Sequence, residues 1–213
     1  WKKRLTYNRK TIFPNYLCVV HKNCVELAFE DGIPKEIICQ IGHPAWDNIK
    51  YDIQRENRKT LFIGTPIFEI YKNKLGYSEK EVWHMCLRAK KKYPELLKNL
   101  KYLLHPSQKH PPYVNKKYII KRVKNNDYYG QIIGSFSSYL TEAWYMNKRV
   151  ISIQPNNVRD DKWIISKYTN LVYAKNYREF INILKKEKAK TSTKIFNNNN
   201  SVQKFIKLIK TMN

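Results

Sequence analysis

Residues 130–155 read GQIIGSFSSYLTEAWYMNKRVISIQP and predict a strand, a tight turn, a helix and a second strand. The apolar pair before Gly134 forms the end of the first strand, and the glycine leaves the backbone room to turn. Leu140, Ala143 and Trp144 then recur at the spacing of a helix face that packs on a core. The apolar run near the end forms the second strand, and the proline that follows stops it.

Hydroxyl side chains cluster where this helix begins, at Ser135, Ser137 and Ser138. A strand that feeds a helix through such a turn is suited to phosphate, because free N–H groups and the helix dipole converge there. Glu142 lies one turn above Ser138 on the same face, where a carboxylate would reach ribose hydroxyls. The alternative is that the serines only cap the helix and Glu142 is a solvated surface acid.

Length and composition indicate a folded protein with no membrane-spanning segment. The 213 residues are 42% apolar and 14% aromatic, and no apolar run approaches the ~18 residues of a membrane span. The chain opens with Trp1 and carries no evident start signal, so we expect residues upstream. The cysteines form no CxxC pair and lie in apolar or amphipathic runs, which favours reduced core thiols and an intracellular setting: Cys18, Cys24, Cys39 and Cys86.

A formal net charge of +24 has three interpretations. It is typical of nucleic-acid binding or of adhesion to an anionic membrane surface. The third interpretation is compositional, because the chain is rich in Lys, Asn, Ile and Tyr. In that case the basic residues do no more than attract anionic ligands. Because the basic residues are spread along the chain and no nucleic-acid motif accompanies them, the third interpretation is favoured.

Strands and helices alternate along the chain, which predicts an α/β fold with a Rossmann-like, largely parallel sheet. Residues 16–41 predict a parallel strand-helix-strand unit. Ser78 with Glu81 predicts a capping box that opens a helix ending at Lys92. A basic strand near the sheet edge is predicted over 118–123, and a helix over 160–167. The predicted organisation is the end of a Rossmann-like domain over 1–50, a linker over 51–60, a second α/β domain over 61–190, and a loop with a C-terminal helix over 191–213.

Three short segments follow predicted strands: Gly64-Thr65, His105-Pro106 and Gly134–Ser138. Ligands of such sheets bind beyond the carboxyl ends of the strands, so these segments are expected to share one crevice. His105 either plays a structural role or donates to a phosphate. We expect no metal site and no cofactor, because the adjacent acids Asp160 and Asp161 are more typical of a helix start than of metal ligation.

Taken together, these segments resemble the C-terminal part of glycosyltransferases with the two-Rossmann GT-B fold. The nearest likeness is to bacterial capsule and surface-carbohydrate enzymes, including the sialyltransferase and polysialyltransferase groups. The resemblance covers about residues 12–190 and rests on four segments: 42–47 (GHPAWD), 61–66 (LFIGTP), His105-Pro106 and 134–154.

The resemblance implies that 61–190 is a C-terminal nucleotide-sugar-binding domain with a donor-nucleotide site. A His-Pro pair and a Ser-Ser pair bind the donor phosphate in those enzymes, which assigns that role to His105, Ser137 and Ser138. An acid on the following helix binds the ribose in other GT-B enzymes, which suggests Glu142. Residues 30–32 also spell the acidic-acidic-Gly motif of the sialyltransferase base, but Asp31-Gly32 is equally an ordinary helix stop. The catalytic residues are therefore unassigned, and most of the GT-B acceptor domain lies outside these residues.

The leading hypothesis is transfer of a sugar from a CMP- or UDP-sugar donor to a surface glycan or a lipid-linked acceptor, by an enzyme of capsule synthesis. It includes a cytoplasmic location with peripheral contact at the inner membrane face. The alternatives are a nucleotide-sugar 2-epimerase, which shares the fold, and a non-catalytic basic module that binds nucleic acid or an anionic membrane.

The dispersed charge predicts only weak, non-specific nucleic-acid binding. Binding to any DNA or RNA should collapse between ~50 and 200 mM salt, because it depends on counterion release. Competition between unrelated oligonucleotides at ~150 mM salt measures this, since surface charges are screened there beyond ~8 Å. Tight, sequence-selective binding at that salt concentration would make nucleic acid the leading hypothesis.

Overall fold

The computed structural model describes residues 5–8, 10–44, 47, 59–67, 74–123, 128–146, 148–156, 173–186 and 200–211. The chain divides into two compact units, one formed by Trp1–Lys50 with Ser192–Asn213 and the other by Tyr51–Thr191. The linker predicted over 51–60 lies outside the described residues except at its last two positions. Asp160, Asp161 and the helix that the sequence predicts over 160–167 also lie outside them.

The first unit contains the parallel strand-helix-strand arrangement that the sequence predicts. Its described elements are β1 (Thr6–Tyr7), β2 (Lys10–Thr11), β3 (Leu17–Val19), α1 (Lys22–Glu30), β4 (Ile38–Gln40) and α5 (Ser201–Lys210). Strands β3 and β4 pair in parallel, with Cys18 opposite Cys39. Strands β1 and β2 form an antiparallel hairpin that the sequence analysis did not anticipate.

Helix α1 ends at the Asp31-Gly32 pair, which confirms the predicted helix stop. Gly32 has a φ of 81°, a left-handed conformation that glycine adopts without strain. The Gly32 N–H donates to the Phe29 carbonyl at 2.8 Å, and the Ile33 N–H donates to the Ala28 carbonyl at 3.0 Å. These two hydrogen bonds form a Schellman motif, which satisfies carbonyls that a helix end otherwise leaves open.

The second unit is built on a six-stranded, fully parallel sheet with the order β10-β9-β8-β5-β6-β7. Its described strands are β5 (Thr60–Ile63), β6 (Lys101–Leu103), β7 (Ile119–Ile120), β8 (Gln131–Gly134), β9 (Arg149–Ile153) and β10 (Tyr173–Ala174). The chain runs outward from β5 to β6 and β7, returns to β8 on the other side of β5, and runs outward again. This is the doubly wound order, which reverses between β5 and β8.

One row of side chains across the sheet forms the centre of the core. Phe62, Tyr102, Ile133 and Ile151 lie in register on neighbouring strands, and each is at most 1% exposed. The Trp83 ring packs on this row, with its centroid 5.2 Å from that of Phe62 and 5.3 Å from that of Tyr102. Aromatic edge-to-face contacts of this kind add to the stabilisation from buried area.

Helices cover both faces of the sheet. Helix α2 (Glu79–Lys92) and helix α4 (Tyr177–Lys185) bury apolar residues in the same cluster as the Phe62 row. Helix α3 (Ser138–Tyr145) packs on β8 and β9 from the other face. Its predicted stripe is confirmed, since Leu140, Ala143 and Trp144 are 0%, 1% and 8% exposed.

Helix α2 begins with the capping box that the sequence predicts. The Ser78 hydroxyl accepts from the Glu81 N–H at 3.3 Å, and the Ser78 N–H donates to a Glu81 carboxylate oxygen at 2.7 Å. Two N–H groups of the helix start are therefore satisfied by one pair of residues. The basic strand predicted over 118–123 is shorter, at Ile119–Ile120, and lies at the sheet edge as expected.

The expectation of four core thiols is only partly correct. All four cysteines are free, but only Cys86 is fully buried, and burial raises the pKa of its thiol. Cys18, Cys24 and Cys39 are half-buried, because their elements in the first unit are covered less completely.

Gly64 allows β5 and β6 to approach closely at their carboxyl ends. A Cβ atom at this position would lie 2.7 Å from the Leu103 carbonyl oxygen and 2.9 Å from Gln108 Oε1. The sequence suggested that Gly134 gives the backbone room to turn, but the structure does not require a glycine at this position. It is the last residue of β8, its φ is not in the left-handed region, and its nearest contacts would be 3.4 Å from an added Cβ.

Alanine at the two positions should therefore have effects of different size. Gly64→Ala forces a backbone shift and should lower the free energy of unfolding by about 1–3 kcal/mol, as overpacking does. Gly134→Ala should be close to neutral or stabilise by up to about 1 kcal/mol, because it restricts the unfolded chain. Urea unfolding of both variants measures the difference, and equal losses would contradict the close approach at Gly64.

Candidate functional site

The predicted site segments lie at one edge of the second unit, where the parallel strands have their carboxyl ends. Gly64 and Thr65 follow β5, and Ser135 to Ser138 follow β8, so the two segments flank the reversal of the strand order. The Thr65 hydroxyl donates to the Phe136 carbonyl at 3.3 Å and joins them directly. His105 follows β6, the other neighbour of β5.

A buried polar cluster holds the serine turn in place. The Ser135 carbonyl accepts from the Ser152 hydroxyl at 2.6 Å and from Gln154 Nε2 at 3.2 Å. Ser152 and Gln154 are 0% and 4% exposed, so these hydrogen bonds are shielded from water. Sequence reasoning missed both residues. The sequence did contain a signal for them, because Ser152 and Gln154 are the polar positions of the otherwise apolar segment 150–154.

The two serines at the start of α3 have different surroundings. Ser137 is the N-cap, and its hydroxyl accepts from the Tyr139 N–H at 3.2 Å. Ser138 is exposed and begins the helix, and no described residue accepts from or donates to its hydroxyl. Among the described residues, the Ser138 hydroxyl therefore has no partner at the start of the helix, whereas the Ser137 hydroxyl is engaged in capping and the Tyr139 and Leu140 N–H groups are bonded to Ser137.

Glu142 lies one turn along α3, half-buried, and no described residue forms a hydrogen bond or an ion pair with its side chain. Burial, and then the negative charge of Glu142, raise the pKa of the neighbouring Tyr139 phenol. Glu142 therefore lies one turn from the start of the helix, and its role toward a ribose stays a prediction.

His105 is held by the turn that it begins. Its Nδ1 accepts from the Ser107 N–H at 3.2 Å and pairs with the Ser107 hydroxyl at 2.8 Å. A ring nitrogen that accepts a backbone N–H carries no proton, so in the neutral ring the proton lies on Nε2. No described residue pairs with Nε2, which leaves it available as a donor.

Gly64 and Thr65 lie at the base of the loops at this edge, and most of their polar groups are engaged in hydrogen bonds within the protein. Thr65 is 7% exposed, its N–H donates to Glu79 Oε1, and its hydroxyl is bonded to Phe136. The Gly64 N–H donates to the Leu103 carbonyl at 2.8 Å. Both residues therefore shape the loop through contacts within the protein.

Glu79, which the sequence analysis did not single out, accepts hydrogen bonds from several loops at this edge. It is 4% exposed and accepts from Gln108 Nε2 at 2.6 Å, from the Tyr113 hydroxyl at 2.6 Å and from the Thr65 N–H. Burial raises the pKa of the Glu79 carboxyl, while its hydrogen bonds from Tyr113, Thr65 and Gln108 act in the opposite direction.

A pocket that contains none of the predicted site residues lies at the carboxyl ends of β9 and β10. This pocket of about 400 Å³ lies between α2 and the loops after those strands, and its lining includes His84, Arg88 and Lys175. The Arg88 guanidinium stacks 4.2 Å from the centroid of the Tyr177 ring. Arg88 and Lys175 therefore bring positive charge to this pocket, whose lining also includes Glu81.

Among the described residues, no group of His, Cys, Asp and Glu gathers three or more side chains in a way that could hold a metal ion. Within the same residues, no helix has both the length and the apolar character that crossing a bilayer requires.

No protein-family model matches the chain, and no curated protein matches it in sequence. Among solved structures, the chain is similar to the UDP-GlcNAc 2-epimerase of Methanocaldococcus jannaschii, determined in complex with UDP-GlcNAc and UDP. The TM-score is 0.63 at 15% sequence identity, over 92% of this chain.

The chain spans 61% of the length of that epimerase structure. At this identity the likeness concerns the fold. It confirms the predicted α/β class, with a Rossmann-like parallel sheet of the GT-B type.

Proposed function

We propose that the second unit binds the nucleotide of an activated sugar at the carboxyl edge of its sheet, and that the protein is a glycosyltransferase. The observation that carries this proposal is the hydrogen bond from Thr65 to the Phe136 carbonyl. It joins the two loops at the reversal of strand order, the place where open α/β sheets bind ligands. The Ser138 hydroxyl, which has no partner within the described part of the chain, and the His105 Nε2 lie on segments at the same edge.

Each predicted residue has a role in this proposal. The Ser138 hydroxyl, at the positive end of the α3 dipole, and His105 Nε2 donate to the phosphates, and Glu142 accepts from ribose hydroxyls. Ser137 fixes the helix start that Ser138 belongs to. Gly64 and Thr65 contribute the shape of the loop beneath the phosphates.

The chemistry that follows is displacement at the anomeric carbon of the donor sugar. The acceptor oxygen forms a bond to that carbon while the bond to the phosphate oxygen breaks, and the nucleotide leaves with the electron pair. Donors fixed around the phosphate stabilise the charge that develops on it. The acceptor hydroxyl gives its proton to a general base, which remains unassigned.

A nucleotide-sugar 2-epimerase is the second candidate, and the likeness to the archaeal epimerase favours it. The binding roles above serve either reaction. The products differ, because an epimerase returns an isomer of the nucleotide sugar, whereas a transferase releases the nucleotide. Incubation with UDP-GlcNAc and with a CMP-sugar, followed by separation of the products, distinguishes the two.

The acceptor in this proposal is a surface glycan or a lipid-linked sugar of capsule synthesis, reached from the cytoplasmic side of the membrane. Helix α5 supports contact with an anionic membrane surface. Its apolar side chains are half-exposed along one face: Val202, Phe205, Ile206 and Ile209. Lys204, Lys207 and Lys210 lie on the other face, a pattern typical of helices that lie in the lipid interface.

Nucleotide titration of two variants tests the donor site. His105→Ala and Ser138→Ala should each weaken CMP or UDP binding about tenfold or more, because each removes a hydrogen bond to a charged group. Thr141→Ala removes a hydroxyl from the same helix and should leave the affinity unchanged. Calorimetry measures all three, and wild-type affinity in both site variants would place the nucleotide elsewhere.

Vesicle sedimentation tests the membrane contact. The chain should sediment with phosphatidylserine-containing vesicles and not with phosphatidylcholine alone, since each basic residue near an anionic surface contributes about 1 kcal/mol. Lys204→Glu with Lys207→Glu should abolish sedimentation, whereas Lys91→Glu with Lys92→Glu on α2 should not. Equal binding of both double variants would contradict a role for α5.

A further inference from the structure

We infer that Glu79 is a positioning residue that couples the two walls of the nucleotide site. This inference rests on the proposed function for the identity of the ligand. One wall is the turn after β6, which begins at His105, and the other is the start of α3 at Ser137 and Ser138. Glu79 lies in neither wall and belongs to the first turn of α2.

The link to the first wall runs through Gln108. The Gln108 N–H donates to the His105 carbonyl at 2.9 Å and closes the turn that holds the histidine. The side chain of the same residue is 8% exposed and donates from Nε2 to Glu79 Oε2 at 2.6 Å. Its Oε1 accepts from the Tyr102 hydroxyl at 3.3 Å, which fixes the orientation of the amide. The position of His105 is thus tied to the Glu79 carboxylate.

The link to the second wall runs through Thr65. The Thr65 N–H donates to Glu79 Oε1, and the Thr65 hydroxyl donates to the Phe136 carbonyl at 3.3 Å. Phe136 directly precedes Ser137, the N-cap of α3. A continuous series of hydrogen bonds therefore joins the His105 turn, Glu79, Thr65 and the start of α3.

A carboxylate suits this position because it only accepts, and its two oxygens can receive several donors at once. Here the donors come from separate segments: Thr65 after β5, and Gln108 and Tyr113 after β6. Glutamine would keep the shape, but it would turn an NH₂ group toward Gln108 Nε2 and the Tyr113 hydroxyl. Glu79→Gln is therefore a conservative change that should break the coupling.

Two buried glutamines offer a matched comparison. Gln131 is 3% exposed, and its Nε2 donates to Thr60 Oγ1 at 3.1 Å and to the Leu96 carbonyl at 3.0 Å. Thr60 and Gln131 are the first residues of β5 and β8, so this pair lies at the opposite end of the strands from the site. Gln108→Leu and Gln131→Leu should cost similar thermal stability, but only the first removes a link in the series.

Hydrogen exchange in the ligand-free protein tests the coupling itself. The Tyr139 and Leu140 amides, both bonded to Ser137, should exchange about tenfold faster in Gln108→Leu and in Glu79→Gln, the loss expected for one charge-assisted hydrogen bond. They should be unaffected in Gln131→Leu. If Gln108→Leu does not fold, Thr65→Val provides the same test, because it removes only the hydrogen bond from the Thr65 hydroxyl to the Phe136 carbonyl. Equal exchange at Tyr139 and Leu140 in the edge variants and in Gln131→Leu would overturn the inference.

Titration with CMP and with UDP then tests the consequence for binding. The dissociation constant should rise about tenfold in Gln108→Leu and remain at the wild-type value in Gln131→Leu. Equal dissociation constants in these two variants would overturn the positioning role. Absence of binding by the wild-type protein would instead overturn the proposed function, while the exchange experiment would still decide whether the two walls are coupled.

Discussion

The parallel pairing of β5 with β8 is the constraint on which the second unit depends. Because β6 pairs with the other side of β5, the chain must leave the central strand in one direction and return to build the sheet in the other. Right-handed crossovers in opposite directions place α2 and α3 on opposite faces of the sheet. The loops after β5 and β8 therefore lead to opposite faces from the same sheet edge, where the hydrogen bond from Thr65 to the Phe136 carbonyl joins them and where sheets of this kind bind ligands.

Several acidic side chains in the described part of this basic protein lie at helix starts. The chain has 17 acidic residues against 41 Lys and Arg. In the described part of the chain, Glu81 caps α2, Glu179 accepts from the Lys175 N–H beside α4, and Asp47 accepts from the Val202 N–H at α5. Carboxylates in these positions offset the partial positive charge at a helix N-terminus rather than the charge of a lysine side chain. The basic side chains consequently remain available to attract anionic ligands and surfaces.

Local patterns in the sequence were sufficient to predict the parts of the fold that depend on neighbours along the chain. The capping box at Ser78, the helix stop at Gly32 and the strand-helix-strand unit of residues 130–155 each depend on residues a few positions apart. The same reasoning placed Ser138 and His105 at strand ends, and the sheet order brings those ends to one edge.

The long-range polar contacts could not be predicted from the sequence. Glu79 appeared to be one more acid at the start of a helix, because its partners Gln108 and Tyr113 lie 29 and 34 residues away. Ser152 and Gln154 similarly gain their role only when β9 pairs with β8 and meets the Ser135 carbonyl. Burial turns such groups into fixed contacts, since an unpaired polar group in the interior is costly.

The close approach at Gly64 has a thermodynamic consequence for ligand binding. With no side chain between them, the ends of β5 and β6 are in van der Waals contact, and the Gly64 N–H is bonded to the Leu103 carbonyl. The loops that continue from these strands cannot separate without breaking the sheet. The entropy of ordering this edge is therefore lost when the protein folds, and little of it remains to oppose association with a ligand.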